Sequence, residues 1–151
     1  MAAVDACDAV GQLRRTARWV GGLSLARLAS GTPSLAEQCE GLVLATVSVT
    51  QDLCVAHETR LADLGLADCG PAMPCPPAGA VPASAGEWAL ADQLQVVAAD
   101  LAEVLTLVAD DGAVRDGLVP TSLVHDTLAQ DSAVHDGLCD IARSCVALRR
   151  A

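Results

Sequence analysis

The sequence predicts an all-α protein, a four-helix bundle made of two antiparallel helix hairpins that one long, proline-rich crossover joins. The 151 residues include 29 alanines and 21 leucines, which are strong helix formers. Strands would lack their preferred residues, because the chain has no Phe or Tyr and a single Ile. With 52% hydrophobic residues, we expect one domain over residues 1–151 with a sizeable core.

The first two predicted helices cover residues 4–30 and 34–64. Gly21-Gly22 interrupts the first, and a glycine costs about 1 kcal/mol in a helix interior, so a kink or break is expected there. The second helix opens with Ser34 and Glu37 in capping-box spacing, and Gly65 lies near its end. The turn between these helices is then only about three residues long, which favours an antiparallel hairpin.

The third and fourth helices, over residues 85–110 and 120–148, are predicted from their apolar spacing. In the third, the apolar positions follow a 4-3-4-3-4 pattern: Leu90, Leu94, Val97, Leu101, Val104 and Val108. In the fourth, Pro120 suits the first turn. The buried stripe expected there is Val124, Thr127, Asp131, Val134, Leu138, Ile141, Cys145 and Leu148.

The linker over residues 66–84 is the longest connection. Fully extended, it reaches roughly 60 Å at about 3.3 Å per residue. A 25-residue helix is only about 38 Å long. The linker can therefore cross the whole bundle and let the third helix run parallel to the second, which is the ferritin-like topology.

Several short motifs in this order resemble the Dps-type mini-ferritins. They are Arg18-Trp19 before a glycine break, Ala56-His57-Glu58-Thr59-Arg60 through Leu64-Gly65, Asp92-Gln93-Leu94, and Leu128-Ala129-Gln130-Asp131. The resemblance implies a ferritin-like fold, a homo-oligomer and iron oxidation at a subunit interface. Its iron ligands do not carry over, because Arg18 stands where the family has histidine and Ala56 follows Asp52 where a glutamate is expected. We therefore expect the metal-binding or storage role to be degenerate or relocated.

Two groups of residues could bind a metal instead. On the second helix, Cys54, His57 and Glu58 lie at i, i+3 and i+4, a thiolate, an imidazole and a carboxylate that suit zinc. On the fourth, Asp131, His135 and Cys139 recur every four residues, and Asp131 falls in the apolar stripe, where a lone carboxylate is costly. Both groups can converge if the two helices are neighbours. The alternative is a buried cysteine beside a partly exposed His-Glu pair, with Asp131 satisfied by an arginine or a hydroxyl.

Soft donors also occur in the linker, where Cys69, Met73 and Cys75 could bind copper(I). A proline-stiffened loop with incidental thiols is the alternative. Zinc, iron and copper thus all stay open as cofactors. No motif of nucleophilic or phosphate-transfer chemistry is present in the sequence, so enzymatic activity is not expected.

Charge and composition bear on partners and location. The net charge is −10, with 19 acidic residues against nine arginines and no lysine, so a nucleic-acid-binding surface is not expected. The longest charge-free stretch of spanning length, Cys69 to Gly86, holds five prolines, so we expect no membrane span. Acidic residues precede the first arginine, unlike a signal peptide, and the seven cysteines are an odd number. A cytoplasmic protein with reduced thiols is expected.

Three functions are therefore predicted. The first is a ferritin-like homo-oligomer with its metal role degenerate or relocated. The second is a non-catalytic helical module that binds a partner protein, with Trp19 as the anchor. The third is a small zinc- or copper-binding protein.

Overall fold

Helices make up nearly all of the structure that the computed structural model describes, which covers residues 2–63, 65, 86–109 and 132–151. The helices are α1 (Ala2–Gly21), α2 (Leu25–Leu28), α3 (Leu35–Asp63), a 3-10 turn (Glu87–Ala89), α4 (Leu90–Ala109) and α5 (Ser132–Arg150). No β-strand occurs in these ranges, so the predicted all-α class is confirmed. The whole predicted linker over residues 66–84, with its possible copper ligands Cys69, Met73 and Cys75, lies outside the described residues, and so does the first part of the predicted fourth helix.

The glycine pair divides the first predicted helix into two. At the end of α1 the Gly22 amide donates to the Trp19 carbonyl at 3.1 Å, and the Leu23 amide donates to the Val20 carbonyl at 3.0 Å. Ser24 then starts α2, because its side chain accepts a hydrogen bond from the Arg27 amide. The break predicted at Gly21-Gly22 is confirmed. The separate short helix α2 that follows it was not predicted.

A capping box starts α3, as its sequence predicts. The Glu37 amide donates to the Ser34 hydroxyl at 3.2 Å, and the Ser34 amide donates to the Glu37 carboxylate at 2.7 Å. These bonds favour the ionised carboxylate and lower the pKa of Glu37. Past the other end of the helix, Gly65 has a φ of 72°, a left-handed conformation in which glycine carries no steric penalty.

The core lies between the four long helices α1, α3, α4 and α5. Its interfaces join α1 to α4 and α5, and α3 to the same two helices. All six apolar positions predicted on α4 are buried, and so are the described members of the stripe on α5: Val134, Leu138, Ile141, Cys145 and Leu148. Fully burying one Leu or Val side chain stabilises the fold by about 1.5–3 kcal/mol, so these two stripes are major sources of stability.

Contacts between the helices also give their directions. The end of α1 lies at the start of α4, since a Cβ atom on Gly21 would be 3.6 Å from Cβ of Ala91. Near the end of α5, Arg149 hydrogen-bonds Thr16 in the second half of α1. Gly137, early in α5, packs against Val49 in the middle of α3. Leu148, late in α5, lines a groove together with the first turns of α3. Hence α1 is antiparallel to α4 and parallel to α5, and α3 is antiparallel to α5.

Within each predicted hairpin, α1 with α3 and α4 with α5, the two long helices run antiparallel as predicted, but they do not pack side by side. In the described residues α1 and α3 have no interface comparable with the four above, nor do α4 and α5, so each pair lies across the core diagonal. The expectation of adjacent hairpins is wrong for α1 and α3. The glycine break explains this diagonal placement, because it ends α1 at Gly21. The connection to α3 is then residues 22–34 instead of the predicted three residues, and it is long enough to cross the end of the core.

A polar network fastens α5 to α1. The Arg149 guanidinium donates to the Thr16 hydroxyl at 2.7 Å and to the Gln12 carbonyl at 3.1 Å, and it also bonds the Gln12 side-chain oxygen. Thr16 is fully buried, and its hydroxyl donates to the Gln12 carbonyl at 2.9 Å. Hydrogen bonds from a charged donor contribute about 1.5–3 kcal/mol each, so this network is a specific connection between the parallel helices.

Of the described helices, α3 is the one that is long and apolar enough to cross a membrane, over Leu35–Thr59. A buried core helix passes the same test, and α3 does contribute Leu42, Val43 and Leu53 to the core. Its buried hydroxyls are satisfied within the helix, since Thr46 donates to the Leu42 carbonyl and Thr50 to the Thr46 carbonyl, both at 2.8 Å. The absence of a membrane span stays a prediction.

Two helical glycines, Gly41 and Gly137, differ in what surrounds them. A Cβ atom on Gly41 would meet nothing within 4 Å, whereas one on Gly137 would lie 2.7 Å from Cγ2 of Val49. Gly41 therefore lowers the helix propensity of α3 without being needed for packing. Gly137 is required where α3 and α5 approach each other.

We predict opposite effects for the two glycine-to-alanine substitutions. Gly41→Ala should raise the free energy of unfolding by about 1 kcal/mol through helix propensity. Gly137→Ala should lower it, because overpacking costs about 1–3 kcal/mol and exceeds the same gain. Urea unfolding measures both.

Val49→Ala provides the control, because it removes the methyl group that the new Cβ would strike. In that background Gly137→Ala should become stabilising, which a double-mutant cycle detects. Equal gains from Gly41→Ala and Gly137→Ala in the wild-type background would contradict the close approach.

Candidate functional site: a histidine-cysteine pair on the last helix

The six predicted metal ligands fall in three places. On α3, Cys54 and His57 are buried, with 1% and 8% of their surfaces exposed, while Glu58 next to them is exposed. On α5, His135 and Cys139 are both half-buried. Asp131 lies outside the described residues. The three predicted ligands on α3 thus have different environments, with the carboxylate in solvent and the other two inside.

The helices that carry the two groups are neighbours, since α3 packs against α5. Among the side chains that the structure describes, no three of His, Cys, Asp or Glu form a group that could hold a metal ion. The predicted convergence includes Asp131, which lies outside those residues, so it stays a prediction. The acid-rich donor set of a ferritin iron centre is equally absent from the described residues, and Asp52 is exposed.

His135 and Cys139 are two predicted ligands that are in contact. They lie four residues apart on α5 and so share one face of the helix. The Cys139 sulfur is 3.6 Å from Nε2 of His135, a hydrogen-bonding contact between a thiol and an imidazole. Because a continuous helix carries both side chains, their separation is set by regular backbone geometry rather than by a loop.

A groove of about 710 Å³ opens beside Cys139, between α5 and α1. Its charged residues are Asp8 from α1 and, from α5, Asp136, Arg143 and Arg150. Two of them have partners nearby: Asp8 pairs with Arg15 at 3.0 Å, and Arg143 pairs with Asp140 at 2.6 Å. The surroundings of Cys139 are thus polar and open to solvent, and they hold carboxylates and guanidinium groups in equal number.

The other described thiols have a different environment. Cys39 on α3 and Cys145 on α5 are fully buried, as the sequence predicts for small core residues. Burial chiefly, together with the neighbouring Cys145 and Glu40, raises the pKa of Cys39 from 9.0 to about 11. Burial also raises the pKa of Cys145, against the hydrogen bond of Thr16 and the charge of Arg149. Of the four cysteines whose side chains the structure describes, Cys39, Cys54 and Cys145 are buried and Cys139 is partly exposed.

Trp19, the predicted anchor for a partner protein, is partly buried against the core. The exposed tryptophan is Trp88 in the 3-10 turn, with 80% of its surface in solvent. The sequence contains a signal for this difference, because the apolar pattern of α4 begins at Leu90 and does not include Trp88. Leu44, Val55 and Val96 are further apolar side chains in solvent.

Comparison with known proteins adds no relative: no family model, no curated protein and no solved structure matches this chain. The pair on α5 combines two chemically matched donors, a fixed separation and access to solvent, and it is the candidate site.

We predict that Cys139 is alkylated faster than the three buried thiols in the folded protein. The raised pKa of Cys39 reduces its thiolate fraction roughly 100-fold at pH 8, and only the thiolate reacts. Iodoacetamide labelling followed by peptide mass spectrometry measures the rate at each cysteine. In urea the four rates should become similar, and equal rates in the native protein would contradict the assignment.

Proposed function

We propose that this protein binds a zinc-type metal ion through His135 and Cys139 on α5. The observation that carries the proposal is the 3.6 Å separation between the Cys139 sulfur and Nε2 of His135. In a tetrahedral zinc site the metal lies about 2.3 Å from sulfur and about 2.0–2.1 Å from nitrogen. These lengths and a tetrahedral angle place the two donors about 3.6 Å apart. The pair already has the separation of two tetrahedral ligands.

The donor types narrow the choice of metal. A thiolate and an imidazole are typical ligands of zinc and copper, whereas magnesium and calcium prefer oxygen donors. On binding, the Cys139 thiol transfers its proton to solvent and the thiolate donates to the metal, so no oxidant or reductant is needed. The ion would have access from the groove, which includes the Asp136 carboxylate.

Zinc titration of the full chain tests this proposal. Wild-type protein should bind Zn²⁺ in calorimetry, and Cys139→Ser and His135→Ala should each weaken binding by more than about tenfold, because each removes one direct ligand. Cobalt(II) should give a thiolate-to-metal absorption band with wild type that Cys139→Ser lacks.

Two controls make the result specific. Ser144→Ala truncates an exposed side chain on α5 and should leave zinc affinity unchanged. Cys69→Ser/Cys75→Ser removes the linker thiols and should leave the cobalt band intact. Unchanged zinc and cobalt binding by Cys139→Ser, or loss of binding only in the linker variant, would overturn the proposal.

A ferritin-like homo-oligomer is the second candidate. Its support is the order of helix directions, in which α4 follows α3 in the same sense while α1 and α5 run in the opposite sense, as one long crossover predicts. The diagonal placement of α1 and α3 counts against an ordinary ferritin subunit.

The cage form of this candidate makes a simple prediction. Light scattering coupled to gel filtration should then find a closed assembly of many copies, with a mass many times that of the 15.3 kDa chain. Monomers or dimers at micromolar concentration would rule the cage out and leave zinc binding unaffected.

A further inference from the structure

We infer that Trp88 of one chain inserts into the groove between α3 and α5 of a second copy of this chain. The contact joins two different surfaces, so it assembles the protein head to tail. This inference is independent of the proposed zinc binding, because neither surface includes His135 or Cys139.

The first argument is the exposure of Trp88. The chain has two tryptophans and no Phe or Tyr, and while Trp19 packs against the core, Trp88 has 80% of its surface in solvent. The 3-10 turn that carries it contacts α2, on which Leu25 is also exposed. Tryptophan is enriched at protein interfaces, where the most important aromatic side chains fill a pocket of the partner.

The second argument is a groove of suitable size and lining on the same molecule. The α3–α5 groove has a volume of about 580 Å³. Pockets of roughly 300–1,000 Å³ enclose drug-sized ligands, so this groove is large enough for an indole ring. Its floor contains the buried aliphatic side chains of Leu42 and Ile141. Its walls carry small exposed side chains, which are Ala45, Ser48, Ser144 and Ala147. A flat ring can therefore reach the apolar floor.

The third argument is the placement of the two surfaces. Around the core the long helices follow the order α1, α4, α3, α5, because α1 and α3 each pack against both α4 and α5. The α3–α5 groove thus lies opposite the interface of α1 with α4. Trp88 precedes α4 where that helix meets the end of α1, since a Cβ atom on Gly21 would be 3.6 Å from Cβ of Ala91. Trp88 is therefore far from the groove of its own chain, and its insertion into another copy builds rings or filaments.

Charge does not oppose this contact. Among the described side chains near Trp88, Arg27 lies on α2 and Asp92 on the first turn of α4, and both are exposed. At the edge of the groove, Asp140 pairs with Arg143 at 2.6 Å, and this pair is exposed as well. Each surface thus presents one acidic and one basic side chain, although the net charge of −10 repels a second copy elsewhere.

Sedimentation velocity of the full chain, with a chelator present, tests this inference. The mass of the wild-type protein should rise with its concentration. Trp88→Ala should weaken self-association by at least about 30-fold, the effect of an interface anchor. Ala45→Gln/Ser144→Gln fills the groove with two longer side chains and should weaken it as much. The matched controls Val96→Ala and Ala99→Gln change exposed positions on α4 and should associate like wild type.

A mixing experiment distinguishes head-to-tail insertion from other contacts. Trp88→Ala keeps an intact groove, and Ala45→Gln/Ser144→Gln keeps an intact Trp88. Each variant alone should be monomeric, whereas an equimolar mixture should form a heterodimer that grows no further. The fluorescence of the mixture should shift to shorter wavelength, because the indole ring leaves water.

Three outcomes would overturn the inference: a wild-type monomer at all concentrations, association of Trp88→Ala like wild type, or a mixture without heterodimer. A much larger loss of stability in urea for Ala45→Gln/Ser144→Gln than for Ala99→Gln would show that residues of the same chain fill the groove, and it would overturn the inference too. None of these results bears on zinc binding, whose test depends on Cys139→Ser.

Discussion

Small side chains in the core are the constraint on which the arrangement of the helices depends. The described buried residues are Leu, Val, Ala, Cys and Thr with one Ile and one His, and none is Phe, Tyr or Trp. With no large ring to hold the helices apart, neighbouring helices approach closely, and at Gly137 even a methyl group would strike Val49. The same closeness brings Cys145 of α5 near enough to Cys39 of α3 to raise its pKa, and Thr16 of α1 hydrogen-bonds Cys145.

Polar groups then select one arrangement from the several that a small-residue core would allow. Arg149 reaches Thr16 and the Gln12 carbonyl only if α5 runs parallel to α1 and in one register. Asp8 and Gln12 extend this network along α1, where Gln12 donates to the Asp8 carboxylate at 3.1 Å. Apolar burial thus supplies most of the stability, while a few directional bonds on the α1 and α5 faces specify which helices are partners.

Local features were predictable from the sequence, whereas the partners of each helix were not. The break at Gly21-Gly22, the capping box of Ser34 and Glu37, and the buried stripes from Leu90 and Val134 depend on nearby residues, and all are confirmed. The diagonal position of α1 and α3 depends on contacts far apart in sequence. Among the site residues, the four-residue spacing of His135 and Cys139 indicated their contact. The spacing of His57 and Glu58 did not show that His57 is buried while Glu58 is exposed.

Gly137 has a consequence for the motion of the last helix. It lies inside the turn that carries His135 and Cys139, and glycine weakens a helix by about 1 kcal/mol relative to alanine. Amide hydrogens in this turn should therefore exchange with solvent more readily than those near Cys145, where the Arg149 network holds α5. An ion bound by both donors would hold this turn in its helical form and slow that exchange.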